Sequence, residues 1–229
     1  MNAATLRRLR RAETDREPVV LATRLHDGAQ RLLPAPDAQP GLLQLANEAL
    51  SRDESRIVEL DGEAWFLRVH APAPRLFIVG AVHIAQALGP LAAISGYAVS
   101  IIDPRRPFAS EARFPGPPLI HLWPDEALAQ LRPDASTAIV TLTHDPKLDD
   151  PALAAALNSP AFFIGALGSR KTHASRCARL AEQGFPPDSL ARLRGPVGLP
   201  INAVSASEIA VSILAEIVAV RRGAASGQR

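Results

Sequence analysis

One stretch near the middle of the chain limits the fold more than any other. Residues 75–79, Arg-Leu-Phe-Ile-Val, run directly into Gly80, and apolar side chains then recur at helical spacing over residues 83–95. A second apolar run follows at 97–102 and ends at Asp103. Consecutive apolar residues before a glycine are typical of a strand that is buried on both faces. The stretch therefore predicts a β–α–β unit, the building block of a parallel sheet.

The turn after the first predicted strand is a candidate ligand site, because a helix N-terminus presents free N–H groups and a positive dipole end to an anion. Its candidate residues are Gly80, Ala81, Val82 and His83. Asp103 lies at the spacing where a carboxylate accepts hydrogen bonds from a ribose diol. The glycine pattern of dinucleotide-binding proteins is incomplete, and Val82 counts against ordinary NAD binding. A structural turn without a ligand is the alternative.

Composition excludes several classes of function. A net charge of +2 gives no case for nucleic-acid binding. The single cysteine, Cys177, excludes an intramolecular disulfide and a multi-cysteine metal site within one chain, and no metal site is predicted. No segment has the pattern of a secretory signal or the length of a membrane span. The sequence therefore predicts a cytoplasmic protein that does not enter membranes.

A change of pattern near residue 70 predicts two domains. Residues 1–70 are expected to form a small α+β domain, and residues 75–229 a Rossmann-like domain. The proline-rich residues 71–74 are expected to link them. In the first domain the pattern predicts a charged helix or frayed arm over 1–17, a strand over 19–23, a helix over 41–52 and a hairpin over 55–60 and 63–70.

Apolar runs and helical periodicities continue to alternate after Asp103. The predicted strands cover 119–122, 137–143 and 161–167, and the predicted helices cover 124–131, 149–157, 169–183 and 209–220. Residues 186–200 are predicted to be a connection, and Ser205 and Glu208 a capping box. The alternation predicts an α/β fold, with a parallel sheet and helices on both of its faces. Ligands of such sheets bind beyond the carboxyl ends of the strands.

By that rule, further polar residues are expected at the same edge of the sheet, beyond the carboxyl ends of the strands. Arg105 follows the second predicted strand of this domain, and His144 and Asp145 follow the fourth. After the fifth strand, a turn with two hydroxyls and two cations opens a helix, which predicts a phosphate site formed by Gly168, Ser169, Arg170, Lys171 and Thr172. The alternative is that Ser169 only caps the helix. Serine-hydrolase chemistry has no support, because no Gly-x-Ser-x-Gly elbow is present, and no catalytic residue is assigned.

Cys177 lies one helical turn after His173, which places the two residues on the same face of the predicted helix. The sequence favours a packing role for this thiol over a reactive one.

With these residues in hand, the chain resembles the XdhC/CoxI family, the accessory proteins of xanthine dehydrogenase and carbon monoxide dehydrogenase. The resemblance covers about residues 75–223 and rests on the blocks 80–88, 103–108, 113–115, 143–145, 164–173, 195–199 and 207–222. It implies binding of the molybdenum cofactor, as molybdopterin or its dinucleotide form, and maturation or delivery of that cofactor. The implied partner is a xanthine dehydrogenase-type client, and a cysteine desulfurase and a second copy of the chain are further candidate partners. The implied role is that of a chaperone rather than an enzyme.

The N-terminal region departs from this family. Members usually carry a Ser-x-Gly-Gly-Cys-type motif before the Rossmann-like domain, and residues 18–70 contain neither that motif nor any cysteine. This departure counts against thiolate ligation of molybdenum. Two rival functions stay open, namely an NAD(P)- or FAD-dependent oxidoreductase that uses the same turn with Asp103 on a ribose, and a methyltransferase-like nucleoside binder.

Overall fold

The structure is a computed structural model that describes residues 2–223. The chain divides into two compact units, Met1–Pro72 and Ala73–Arg229. No helix among the described residues combines the length and the apolar character that a bilayer crossing requires.

The N-terminal unit is a four-stranded antiparallel sheet with a helix on each face. Its elements are α1 (Ala3–Asp15), β1 (Val19–Arg24), β2 (Gln30–Leu33), α2 (Pro40–Arg52), β3 (Arg56–Leu60) and β4 (Glu63–His70). The strand order is β2-β1-β4-β3. Apolar residues of α2 pack on one face of the sheet, and Leu9 and Ala12 of α1 pack on the other. The predicted hairpin is confirmed, with its turn at Asp61 and Gly62.

Strand β2 was not predicted from the sequence. It has only four residues, and its buried residues, Leu32 and Leu33, are adjacent rather than alternating. A strand this short carries no period-2 signal, and its pairing with β1 becomes visible only in the folded sheet.

The second unit confirms the predicted α/β fold. Its elements are β5 (Arg75–Val79), α3 (His83–Ile94), β6 (Ala98–Ile102), β7 (Leu119–Ile120), α4 (Pro124–Leu131), β8 (Thr137–Thr141), α5 (Pro146–Leu157), β9 (Phe163–Ala166), α6 (Arg170–Glu182), α7 (Pro187–Leu190), β10 (Leu193–Arg194) and α8 (Ala206–Arg221). Six parallel strands form one sheet in the order β10-β9-β8-β5-β6-β7.

The sheet of this unit is buried on both faces, as the continuous apolar runs predict. Alternate residues of β5 point to opposite sides, so that Leu76 and Ile78 join one core and Phe77 and Val79 join the other. Helices α3 and α8 cover the first face, whereas α4, α5 and α6 cover the second.

The segment 186–200, predicted as a connection without secondary structure, contains α7 and the sixth strand, β10. Strand β10 is only two residues long, which is too short for a periodic signal. A contact with helix α8 helps to hold this strand in place. The buried carboxylate of Glu216 on α8 accepts hydrogen bonds from Arg194 Nη1 at 3.3 Å and from the backbone N–H of Gly198 at 2.6 Å. Helix α8 begins at the predicted capping box, which is confirmed.

Candidate functional site

The order of the parallel strands reverses between β5 and β8. In sheets of this kind, the crevice at the carboxyl ends of the strands on either side of the reversal is the usual ligand site. The turn after β5 and the loop after β8 meet there. Gly80 has a φ of +111°, and a Cβ at this position would lie 2.6 Å from Cγ2 of Thr143. The contact between the two loops therefore requires glycine at position 80, independently of any ligand.

The carboxylate of Asp103 is buried beside this crevice, and both of its oxygens are occupied. Oδ2 accepts hydrogen bonds from the backbone N–H of Ala81 at 2.9 Å and from Arg105 Nη2 at 2.8 Å. Oδ1 accepts from the backbone N–H and the Nε of Arg105, each at 2.9 Å. Burial alone would raise the pKa of Asp103, but the hydrogen bonds outweigh it and the pKa lies below its usual range.

These contacts give Asp103 and Arg105 a structural function at the turn. A ribose diol that binds Asp103 has to displace Arg105 from the carboxylate, because no oxygen of Asp103 is left without a donor. The predicted ribose contact stays a prediction, and the geometry counts against it.

The remaining residues of the two loops lie in different environments. His83 is exposed in the first turn of α3, after Val82, which occupies the N-cap without a capping side chain. His144 is exposed and has a positive φ of 61°. Asp145 is the N-cap of α5 and accepts a hydrogen bond from the backbone N–H of Lys147 at 3.0 Å. The strand predicted over 137–143 ends at Thr141, so that His144 and Asp145 belong to a loop.

In the predicted phosphate turn, Ser169 caps helix α6, which is the alternative explanation for this turn. Ser169 Oγ accepts a hydrogen bond from the backbone N–H of Thr172 at 3.1 Å, and the two hydroxyl oxygens lie 2.9 Å apart. Gly168 has a φ of +145°, and Arg170 and Lys171 are exposed. The serine therefore occupies part of the helix N-terminus, and the role of the whole turn in anion binding stays a prediction.

A buried ion pair that the sequence analysis missed lies next to this turn. The side chains of Asp149 and Arg176 are each 2% exposed, and Arg176 Nη2 lies 3.4 Å from Asp149 Oδ2. Thr143 Oγ1 donates to the other oxygen of Asp149 at 2.7 Å. Burial raises the pKa of Asp149, although the hydrogen bond from Thr143 and the charge of Arg176 oppose the rise. The hydrogen bond from Thr143 to Asp149 and the ion pair of Asp149 with Arg176 thus connect the loop after β8 with helix α6.

A signal for Arg176 was present in the sequence. This arginine lies four residues before Leu180, which is fully buried, and therefore shares the core-facing side of α6. A charge on an apolar helix face is rarely buried without a partner. The partner, Asp149, is 27 residues away on another helix. Only the three-dimensional structure brings the two together.

A cavity of about 250 Å³ lies between the N-terminal ends of α5 and α6. Its lining consists of His144, Pro146, Asp149, Lys171, Thr172, Ser175, Arg176 and Arg179. The structure thus brings together three predicted residues, His144, Lys171 and Thr172. The residues of the turn after β5, together with Asp103 and Arg105, are not part of this lining. Within residues 2–223 no group of three or more His, Cys, Asp or Glu side chains is arranged to hold a metal ion.

The single thiol lies on α6 outside this cavity lining. Cys177 is partly buried, and its Sγ lies 3.6 Å from Nε2 of His173. Burial raises the pKa of the Cys177 thiol, although the charge of Arg176 opposes the rise. The neutral thiol is therefore favoured at neutral pH, in agreement with the predicted packing role.

Comparison with known proteins decides the family. Residues 76–217 match the family described as the XdhC Rossmann domain. The chain belongs to the XdhC family. Two relatives have informative names. The molybdenum cofactor insertion chaperone PaoD of Escherichia coli K12 is 37% identical over 66% of this chain and 41% of that protein. A probable xanthine dehydrogenase subunit from Bacillus subtilis 168 is 33% identical over 69% of this chain and 46% of that protein.

This XdhC-family chain spans less than half the length of either relative. A crystal structure described as a xanthine dehydrogenase from Bacillus halodurans matches 99% of the chain and 66% of that protein, with a TM-score of 0.69 and 22% identity. At this identity, the match shows a common fold.

Proposed function

We propose that this chain binds the molybdenum cofactor as cargo and assists its insertion into a xanthine dehydrogenase-type enzyme. Membership of the XdhC family and the names of the two relatives support the proposal. The structural observation that carries it is the cavity between α5 and α6, where Lys171 and Arg176 offer cationic donors at the ligand-binding edge of the sheet.

The residues present fit a cargo that combines a phosphate with a larger ring system. Neighbouring strands lie about 4.8 Å apart, so that the turns after β5 and β9, separated by one strand, are about 10 Å apart. A ligand that reaches both turns must be extended, as a pterin phosphate or a pterin dinucleotide is. The cations of the cavity suit its phosphate. The backbone N–H groups of Gly80 and Ala81 already donate to Ile102 and Asp103, so the rest of the molecule does not depend on them.

The molybdenum centre supplies redox chemistry in the enzyme that receives it, and this chain needs no redox group of its own. Its residues bind and orient the cargo. Cys177 is poorly suited to ligate molybdenum, because burial keeps its thiol protonated. The saturated carboxylate of Asp103 counts against the rival oxidoreductase, which would place a nucleotide ribose on it. A cysteine desulfurase and a second copy of the chain stay predicted partners.

The test is what the purified chain carries. The protein is prepared from cells that make the molybdenum cofactor and from matched cells that lack its biosynthesis. Both samples are then oxidised and compared for pterin fluorescence. We expect the fluorescent pterin only in the first sample, and transfer of activity from that sample to a cofactor-free xanthine dehydrogenase. Absence of pterin in both samples, together with saturable NAD(P) or FAD binding, would favour the oxidoreductase instead.

A further inference from the structure

The guanidinium of Arg176 is the least satisfied charged group near the candidate site. Its Nη2 donates to the carbonyl oxygen of Leu167 at 3.0 Å and lies 3.4 Å from Asp149. Its Nε and Nη1 are buried and have no hydrogen-bond partner among the described residues. These two atoms carry three of the five N–H donors of an arginine. A buried donor without an acceptor is costly, so we expect an acceptor from outside the chain, a water molecule or a ligand, to pair with these atoms.

The surroundings of Arg176 show which acceptor fits. Lys171, at the exposed start of α6, lines the same cavity. Arg179 also lines it, but its guanidinium donates two short hydrogen bonds, of 2.6 Å and 2.9 Å, to the carboxylate of Asp150. Arg176 makes only one longer contact of 3.4 Å with a carboxylate, that of Asp149, and two of its nitrogen atoms have no acceptor within residues 2–223. Arg176 and Lys171 are therefore the cations that we assign to the ligand.

Asp149 is the carboxylate in the cavity lining, and its charge opposes an anion. Both of its oxygens are turned to protein partners, Thr143 and Arg176. Burial also raises its pKa, which reduces the energetic cost of protonating it when an anion enters.

We propose that the cavity between α5 and α6 binds the phosphate group of the ligand, with Arg176 as the buried donor and Lys171 as the donor at the mouth. The cavity volume of about 250 Å³ corresponds to roughly eight water molecules at about 30 Å³ each. A phosphate or diphosphate fits this space. The proposal places the ring system of the ligand outside the cavity, on the side of β5 and β8. This inference depends on the proposed function in one respect, the identity of the molecule that carries the phosphate.

The two lysines of the chain provide the first test. Lys171 lines the cavity, whereas Lys147, the other lysine, is exposed on α5 and does not line it. The full chain is acetylated with an amine-reactive reagent at rising concentrations of inorganic pyrophosphate, and the rate at each lysine is measured by mass spectrometry. We expect pyrophosphate to slow the acetylation of Lys171 several-fold and to leave Lys147 unchanged. Equal rates at Lys171 with and without millimolar pyrophosphate would overturn the proposal.

Variants then separate the two donors. A charge-assisted hydrogen bond contributes about 1.5–3 kcal/mol, which predicts at least roughly tenfold weaker pyrophosphate binding by calorimetry for Lys171→Ala or Arg176→Lys. Arg176→Lys keeps a cation beside Asp149 but loses the fork of donors. Lys147→Ala is the matched control and should bind as the wild type does. If Arg176→Lys fails to fold, the exposed Lys171 still carries the test, and equal affinity in the Lys171 and Lys147 variants would refute the site.

The same probes distinguish this inference from the proposed function. Protection of Lys171 by pyrophosphate in a protein that never carries pterin would support the phosphate site and refute the cargo. Pterin on the purified protein without protection of Lys171 would refute the phosphate site and support the cargo. Protection by pterin-bearing extract but not by inorganic pyrophosphate would contradict the proposed role of Arg176, because the phosphate would then not be the group that is recognised.

Discussion

Replacing Asp103 with asparagine should destabilise the Rossmann unit whether or not a ligand is bound. The buried carboxylate accepts four hydrogen bonds, two of them from the backbone N–H groups of Ala81 and Arg105. The asparagine amide offers one oxygen, and its NH₂ group faces donors. The Arg105 side chain is 36% exposed, so water can replace its lost contacts. The loss therefore arises mainly at the backbone donors and amounts to about 2–4 kcal/mol of unfolding free energy.

The loss should depend on pH with a defined sign. The pKa of Asp103 in the folded protein lies below the value of about 3.9 for an unfolded aspartate. The carboxylate therefore contributes stability that is fully present above about pH 4, and that is lost as the pH falls through the lower folded-state pKa. The difference between wild type and Asp103→Asn should be complete at about pH 7 and should shrink in acid.

Urea unfolding followed by far-UV circular dichroism measures this difference, and hydrogen exchange of peptides around residues 75–105 locates it. Asp188→Asn, at an exposed aspartate of the same unit, is the control and should change stability by no more than about 0.5 kcal/mol. A loss equally small in Asp103→Asn would refute the structural role of the carboxylate. A loss of ligand affinity without any loss of stability would instead support the ribose contact.

Three further substitutions test other contacts. Gly80→Ala should lower the unfolding midpoint in urea even without a ligand, because its Cβ would meet Thr143 at 2.6 Å with φ at +111°; an unchanged midpoint would contradict the tight turn. Glu216→Gln should cost about 1–3 kcal/mol of unfolding free energy, since Glu216 is buried and hydrogen-bonded to Gly198 and to the partly exposed Arg194, and a loss near zero would contradict this. Cys177→Ser should leave pterin transfer intact. In the wild type, burial raises the pKa of the Cys177 thiol, so this thiol should react with iodoacetamide more slowly at neutral pH than glutathione does.

The parallel sheet could be predicted from the sequence because its central strands carry their signal locally. Every residue of β8 is buried, and so are four of the five residues of β5, which gives the continuous apolar runs of a doubly covered sheet. Strands β2 and β10 could not be predicted, because their own residues carry no such local signal. Each is short, and each is defined by its neighbour in the sheet rather than by its own residues.

The candidate site could be predicted only in part, since the sequence places residues at an edge without orienting their side chains. Asp103 was expected at the end of its strand, and it lies there, but the backbone of the following turn points Arg105 back onto its carboxylate. Arg176 was missed because a charged residue in a helix is usually solvated. Its burial depends on Asp149 in a different helix, and nothing in the local sequence of α6 encodes that contact.

The packing of α8 against α3 has a consequence for synthesis of the chain. Ile213 and Ile217 of α8 complete the apolar core that also contains Leu76 and Leu88. The ribosome adds roughly 110 residues between the end of α3 and the start of α8, which takes about 5–25 s at about 5–20 residues per second. During that interval, the apolar surface that α8 later covers is exposed on the nascent chain. Ribosome-bound chains halted before residue 206 should therefore bind chaperones that recognise exposed apolar segments, whereas chains extended through α8 should release them.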